Sequence, residues 1–461
     1  MDKAKRIANK QKQISISEFF EKNKHFLGFD THQRAVITAV KEAVDNSLDA
    51  CEEGRILPEI QVEIKRLEGD RLELVTQDNG PGIPRDSIAN VFGKFLLGSR
   101  FHAIRQTRGQ QGIGITGVVM YAQLTTGSTT TVLSKIETES TAVRVDLALD
   151  TKNNRALKSN EERIPLEEWF EESGMESHHG LRIRTVMAAK YQRGRQSVHQ
   201  YLRMTSIVNP HATIRLRVIG KNGEIIDEGE WVRTTNKLPR PVVEIRPHPH
   251  GMQFGTLQRM LKNTKERNIK SFLTKEFEKV SPLVSKKILE HAEIDEKRRP
   301  SGLSVEGIQD LLSAFMAVKI QAPPTDCLSP IEELLIKKGL EKAIDSRYAA
   351  TVTRAPTVSQ GNPFQVEVGL VFGGDLPSDG SVEVLRFANR VPLMYQQGGC
   401  LLTKAIESIN WRPYGLEQTG GKGVPKGPAA ILVHLASTNV QFTSEAKEAV
   451  ADNEEVHAEL R

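Results

Sequence analysis

The 461 residues are 38% hydrophobic and 26% charged, with 63 Lys plus Arg against 58 Asp plus Glu and a net charge of +5. This is the composition of a soluble globular chain of about three domains, and its positive surplus is too small to argue by itself for nucleic acid. Cys51, Cys327 and Cys400 are too far apart for zinc spacing or a disulfide framework, the basic start has no apolar core behind it, and no apolar run reaches the ~18 residues of a membrane span, so a reduced, cytoplasmic protein without membrane attachment is expected.

Residues 1–12 are polar and basic and predict a flexible arm. Ser15, three before Glu18, then marks the start of a short helix by capping-box spacing. A longer helix follows, in which Ile37, Val40, Val44, Leu48 and Cys51 recur at helical period and predict one buried stripe. Within its KEAVDNSLDA segment (41–50), Glu42, Asn46 and Asp49 fall on a second stripe. On spacing alone the ordinary reading of that stripe is a solvated face.

Residues 59–67 and 71–77 alternate as strands, and the second runs into DNGPGIP (78–84). Asp78 there could accept from an amino group such as adenine offers, and the glycines permit close approach of backbone to a ligand. A plain Asp-Asn-Gly turn is the commoner use of such residues. RGQQGIGITG (108–117) leaves backbone N–H groups free to converge on phosphate at a helix start, although glycine loops are frequent. No acidic partner follows at dinucleotide-fingerprint spacing, and GLEQTGGKG (415–423) has Gly where a P-loop has Lys. TTTVLSK, AVRVDLAL and GLRIRTVM alternate again. The first 210 or so residues therefore predict an α+β fold, with helices on one face of a mostly antiparallel sheet.

KLPRPVVEIRPHPHG (237–251) reads as a connector. Residues 256–319 predict a small basic helical domain, whose lysines and arginines, such as Lys262, Arg267 and Arg298, are interleaved with acids and suit a solvated surface as readily as a DNA-facing patch. His178, His179, His248 and His250 lack complementary ligands for a metal. A second joint, QAPPTDCLSP (321–330), leads to strands at QVEVGLVFGG, VEVLRFANRVPL and AAILVHLAS, a helix at IEELLIKKGLEKAI, and a last helix from Ser444 onward.

In order, E-x-x-x-N on a helix, D-x-G-x-G after a strand and a glycine lid resemble the ATP site of the GHKL superfamily. NKHFLGFD, VFGKFLLGSRFH, RPHPHGM, RFANRVPL and FTSEAKEAVAD narrow the resemblance, over nearly the whole chain, to the topoisomerase VI B-subunit family of type IIB enzymes. The resemblance implies a GHKL (Bergerat-type) ATPase domain over 13–236, a helix-two-turns-helix domain over 237–322, and an S5-like transducer over 323–461 whose stalk helix is cut short.

It also implies roles. Glu42 would be the general base for the water attacking the γ-phosphate, Asn46 the Mg2+ ligand, and Asp78 the adenine-reading acid beside Gly82. Ser99 and Arg100 would contact nucleotide. Gly109, Gln110, Gln111, Gly112, Ile113, Gly114, Ile115 and Thr116 would form the phosphate-covering lid, and Lys447 would reach the γ-phosphate from the transducer. One departure is Leu181 after Gly180, where the family usually has a Thr supporting the adenine-reading acid. The implied function is an ATP- and Mg2+-dependent homodimeric clamp on double-stranded DNA, working with a DNA-cleaving A subunit in an A2B2 heterotetramer. Another GHKL clamp, MutL-like or chaperone-like, a histidine kinase, or a non-hydrolysing nucleotide-dependent scaffold are the alternatives. A kinase would need a phosphoacceptor helix upstream, and the presence of Glu42 disfavours the scaffold.

Overall fold

The computed structural model describes residues 20, 22–24, 27–95, 104–109, 112–150, 153–444 and 446–461. The expected N-terminal arm and the capped helix at Ser15 lie outside them. The described residues form two compact units, one drawn from 1–101, 109–238 and 444–448, the other from 102–108, 239–443 and 449–461.

In the first unit the elements run α1 (His32–Glu53), β1 (Glu59–Arg66), β2 (Arg71–Asp78), α2 (Arg85–Gly93), α3 (Gly114–Thr126), β3 (Thr130–Lys135), β4 (Ala142–Asp150), β5 (Arg155–Ile164), α4 (Leu166–Ser173), β6 (Gly180–Ala188), α5 (Val198–Val208), β7 (Thr213–Ile219) and β8 (Ile225–Trp231). The eight strands make one sheet in the order β5-β4-β3-β6-β2-β1-β7-β8. Among the described strands of this sheet only β1 and β7 pair in parallel; every other neighbouring pair is antiparallel. Alternation sets the faces: Ile60, Val62 and Ile64 of β1 are buried while their neighbours are partly open. Helices α1, α3 and α5 pack together and against the sheet.

One short helix departs from the expected single-sided arrangement. Gln77, Arg182 and Leu133 stand in register across β2, β6 and β3, and so share the face opposite to Asp78. Trp169 of α4 packs on Leu133, Ala142 and Ile164, and Gln77 Nε2 donates to Ser173 O at 3.0 Å. An apolar patch at one end of that face is thereby closed.

Among the described residues, the second unit holds two large hydrophobic cores and a small cluster of Ile245, Cys327 and Leu328. The first is helical, from α6 (Phe254–Asn263), α7 (Ile269–Glu276), α8 (Pro282–His291) and α9 (Val305–Ala317) around Phe272, Phe277 and Phe315. The second lies on a sheet formed by β9 (Tyr348–Thr353), β10 (Thr357–Ser359), β11 (Asn362–Phe372), β12 (Glu383–Ala388), β13 (Val391–Pro392) and β14 (Ala429–Ser437), accompanied by α10 (Glu333–Ala343), α11 (Leu401–Ser408) and α12 (Glu454–Leu460). All nine residues of β14 are buried, because it runs between β11 and β12. The joint before α10 is fastened to this sheet. Ile331 N and Glu332 N donate to the buried Glu367 carboxylate at 2.9 and 2.8 Å, as does His434 Nδ1 at 2.8 Å. Arg390 N donates to His434 Nε2 at 3.0 Å, which assigns the ring proton to Nδ1. Burial alone would raise the Glu367 pKa, but these donors hold it at about 2.

The last helix starts later than its sequence predicts. Phe442 bridges to Val450, and α12 begins only after Asn453, whose Oδ1 accepts from Val456 N at 2.9 Å. None of the three cysteines forms a disulfide. Among the described residues no helix is long and apolar enough to cross a membrane.

Candidate functional site

Helix α1 is started by Thr31, whose Oγ1 accepts from Arg34 N at 3.2 Å, and its stripe of Ile37, Val40, Val44, Leu48 and Cys51 is buried as its spacing predicts. Its polar residues divide. Asp45 and Asp49 point inward and are buried, and Asp45 Oδ1 accepts from Tyr201 Oη at 2.8 Å. Glu42 is half-buried and Asn46, one turn on, is exposed.

The strand-end acid meets this helix directly. Asp78 Oδ2 accepts from Ser47 Oγ at 2.5 Å and Oδ1 from Gly80 N at 2.9 Å. Burial raises the Asp78 pKa to about 6, against the pull of the Ser47 hydroxyl, the Gly80 and Leu181 N–H groups and the nearby His179. Where a Thr was expected after Gly180, the carboxylate is thus held by Ser47 and by the backbone of Leu181.

The loop after Asp78 is rigidly set. Asn79 turns back into the scaffold, accepting from Glu59 N at 2.8 Å and donating to Leu57 O at 3.1 Å. His179 Nδ1 lies 2.8 Å from Gly80 O. Gly82 adopts φ +73°, and a β-carbon there would lie 2.3 Å from Lys135 O. Ser134 Oγ brackets Ile83, accepting from its N at 2.8 Å and donating to its O at 2.9 Å.

Helix α3 starts at Gly114 with Ile113 as N-cap and no side-chain cap. The N–H groups of Gly114, Ile115 and Thr116 have no acceptor within the helix, the usual condition for an anion site at a helix start. Gly109, Gly112, Ile113, Gly114 and Ile115 are partly exposed and Thr116 is buried; Thr116 Oγ1 donates to Lys94 O at 3.3 Å. Gly114 abuts Glu42: a β-carbon at 114 would lie 1.8 Å from Glu42 Oε2. Gln110, Gln111, Ser99 and Arg100 fall outside the described residues.

Lys447 belongs to the same unit, in the segment 444–448. Lys41 Nζ, beside Glu42 on α1, donates to Ala446 O at 3.1 Å. The middle of α1 therefore meets the end of β2 through Ser47 and Asp78 and the start of α3 through Glu42 and Gly114, with Asn46 exposed on the same helix and Gly82 four residues beyond Asp78. Spacing did not point to Ser47, His179 or Ser134, since each acts on a residue distant in sequence. Ser47 alone left a trace, as the residue following Asn46.

For Mg2+, Asn46 could offer one neutral oxygen donor, since its side chain is exposed and makes no hydrogen bond to a described residue. A single protein oxygen suits an ion that keeps waters and shares substrate phosphates. No cluster of three or more His, Cys, Asp or Glu able to hold a metal by itself occurs among the described residues.

Residues 31–151 match the family profile of histidine kinase-, DNA gyrase B- and HSP90-like ATPases, and residues 323–461 that of the transducer of topoisomerase VI B subunits. The B subunit of type 2 DNA topoisomerase 6 from Methanococcoides burtonii is 50% identical over 458 residues, covering 99% of this chain and 71% of that one. Its counterpart from Archaeoglobus fulgidus is 48% identical over 456 residues, with 99% and 73% covered. Among solved structures, the ATPase region of Saccharomyces cerevisiae topoisomerase II aligns over 97% of this chain and 91% of that one, at 10% identity and a TM-score of 0.45.

Proposed function

The chain belongs to the topoisomerase VI B-subunit family, the ATP-driven subunits of type IIB DNA topoisomerases, and from that premise we propose which residues run its ATP cycle. Glu42 is the general base. A half-buried carboxylate can take a proton from water, and it lies against the start of α3, where N–H groups can receive phosphate. Asp78 reads the adenine amino group, with Ser47, Gly80 and Leu181 fixing its carboxylate. Asn46 would hold Mg2+, and the ion would neutralise phosphate charge. Residues 109–116 cover the phosphates, Ser99 and Arg100 contact nucleotide, and Lys447 contacts the γ-phosphate as a mobile point charge.

On this reading the chain is a clamp. Two copies dimerise on binding ATP, enclose a DNA segment and reopen after hydrolysis, while a separate A subunit cuts the DNA in an A2B2 assembly. Residues 237–322, with their helical core around Phe272, Phe277 and Phe315, are read as the helix-two-turns-helix domain, and its basic residues are the candidates for touching DNA.

The observation that carries the reading is the abutment of Glu42 and Gly114, which sets the proposed base beside the start of α3, where the proposed phosphate-binding N–H groups lie. The test uses Glu42→Ala in the complete protein with an A subunit and supercoiled DNA. ATP turnover and relaxation are expected to be lost while dimerisation on a non-hydrolysable ATP analogue persists. Undiminished turnover would remove Glu42 from the role of base, and relaxation by the wild-type chain without any A subunit would refute the division of labour.

A further inference from the structure

Arg34 and Lys41 stand seven residues apart on α1, two turns along the same face, and both hold the segment that carries Lys447. Arg34 Nη2 forms an ion pair with Glu448, which is only 7% exposed, while Arg34 Nη1 is steadied by Asp30 at 2.9 Å. Lys41 Nζ donates to the carbonyl of Ala446 at 3.1 Å. Residues 446 and 448, on either side of Lys447, are thus each attached to the helix that carries Glu42.

Lys447 itself has φ +53°, a left-handed conformation that a non-glycine residue keeps only where its surroundings impose it. Its N–H closes a turn onto Ser444 O at 3.1 Å. The charges facing Lys41 are those of Glu42, Asp45 and Glu448, against the like charge of Lys447. Burial is the main cause of its lowered pKa, with Lys447 adding to it and the acids opposing it.

We propose that Arg34 and Lys41 are positioning residues for Lys447: by fixing Glu448 and the Ala446 carbonyl they hold the backbone at 447 in the left-handed turn that directs its ammonium toward the nucleotide. This rests on the reading of Lys447 as the lysine that contacts the γ-phosphate. Arg34 suits the task because a planar, permanently charged guanidinium can hold Asp30 and Glu448 at once. A partly buried pair of this kind resists salt better than an exposed one. Neither residue need touch nucleotide.

The experiment is a double-mutant cycle in the complete protein, assayed with an A subunit and supercoiled DNA. Arg34→Glu and Glu448→Arg are each expected to lower kcat for ATP by about 10- to 100-fold, the scale of an ångström-sized misplacement. Affinity for ADP, which has no γ-phosphate, should change less than about threefold, well below the ~10-fold that corresponds to 1.4 kcal/mol. The exchanged pair, Arg34→Glu with Glu448→Arg, should recover most of the lost rate. In a Lys447→Met background, Arg34→Glu should add no further loss, whereas independent effects would multiply. Should a reversed charge prevent folding, judged by thermal unfolding, Arg34→Gln and Glu448→Gln provide the same cycle with a milder change.

Full additivity with Lys447→Met, or no effect of either single variant on kcat, overturns the proposal. The underlying reading fails separately: if Lys447→Met leaves turnover at the wild-type rate, Lys447 has no role for Arg34 and Lys41 to support.

Discussion

Glu42 Oε2 lies 1.8 Å from where a β-carbon on residue 114 would be. The absence of a side chain at Gly114 is therefore a condition for the position of the Glu42 carboxylate. Its backbone is ordinary helix, so conformational freedom is not what requires glycine there. In Gly114→Ala the carboxylate or the start of α3 must move, and an ångström-scale displacement of a reacting group can cost about 100-fold in rate. The expected result is a kcat for ATP lowered by roughly that factor with the fold preserved; turnover within about threefold of wild type would show that the site absorbs the methyl group.

Ser47 is the side-chain hydroxyl that donates to Asp78. Ser47→Ala leaves a buried carboxylate with one donor fewer, which raises the Asp78 pKa further and withdraws support worth about 1.5–3 kcal/mol. ATP affinity at pH 7 is expected to fall by roughly 10- to 100-fold, measured by titration calorimetry. An unchanged affinity would mean that the carboxylate does not bear on binding.

Asp78 also gives the site a pH dependence with a defined sign. Its pKa is raised from 3.8 to about 6 in the folded protein. The folded chain accordingly takes up a proton between these values, and this group's contribution to stability is largest at low pH and lost as pH rises through 6. Nucleotide binding runs the other way, because only the ionised form accepts fully from an adenine amino group. ADP affinity should weaken below pH 6, approaching about tenfold per pH unit. A flat profile from pH 7.5 to 5.5 would contradict the assignment of Asp78 to adenine.

In the second unit, Glu367 accepts from Ile331 N, Glu332 N, Thr353 Oγ1 and His434 Nδ1. Glu367→Ala leaves all four donors without that acceptor inside the core. Leaving a buried donor unsatisfied costs about 1–3 kcal/mol, so a clear drop in thermal unfolding temperature is expected. Its low pKa, about 2, means that the wild-type network weakens only as pH falls from its ordinary value of 4.5 toward 2. Unfolding temperatures of the two proteins should therefore converge in acid.

The candidate residues are legible as short motifs because each group is close in sequence, although spacing alone favoured ordinary structural uses and only the family resemblance gave them roles. Glu42 and Asn46 share a helical turn, Asp78 and Gly82 share a strand end, and the lid is a continuous run. What spacing could not show was made by packing. The Ser47–Asp78 bond needs α1 laid across the end of β2, and Arg34 and Glu448 are 414 residues apart. Strand β5, RALKSNEERI, is polar along almost its whole length because it lies at the sheet edge, so alternation does not announce it.

The stretch from Ser444 departs from its local helical preference for a different reason. Its Ser, Glu, Ala and Lys suit a helix locally, but the left-handed Lys447 and the Phe442–Val450 bridge override that preference. The helix waits for a real start signal at Asn453, with Glu454 and Glu455 in its first turn.

The division of the chain between its two units has a consequence for synthesis. A ribosome adding about 5–20 residues per second makes Glu448 some 20–80 s after Arg34, the 414 residues between them divided by that rate. Until then the first unit exists as a nascent structure lacking the segment that carries Lys447, and residues 102–108 await partners that are also translated later. Such late closure carries the entropic cost of very long loops. Ribosome-bound chains stalled with residue 440 and with residue 461 outside the exit tunnel should differ in protease protection around Arg34, and equal protection would show that the first unit matures without its last five residues.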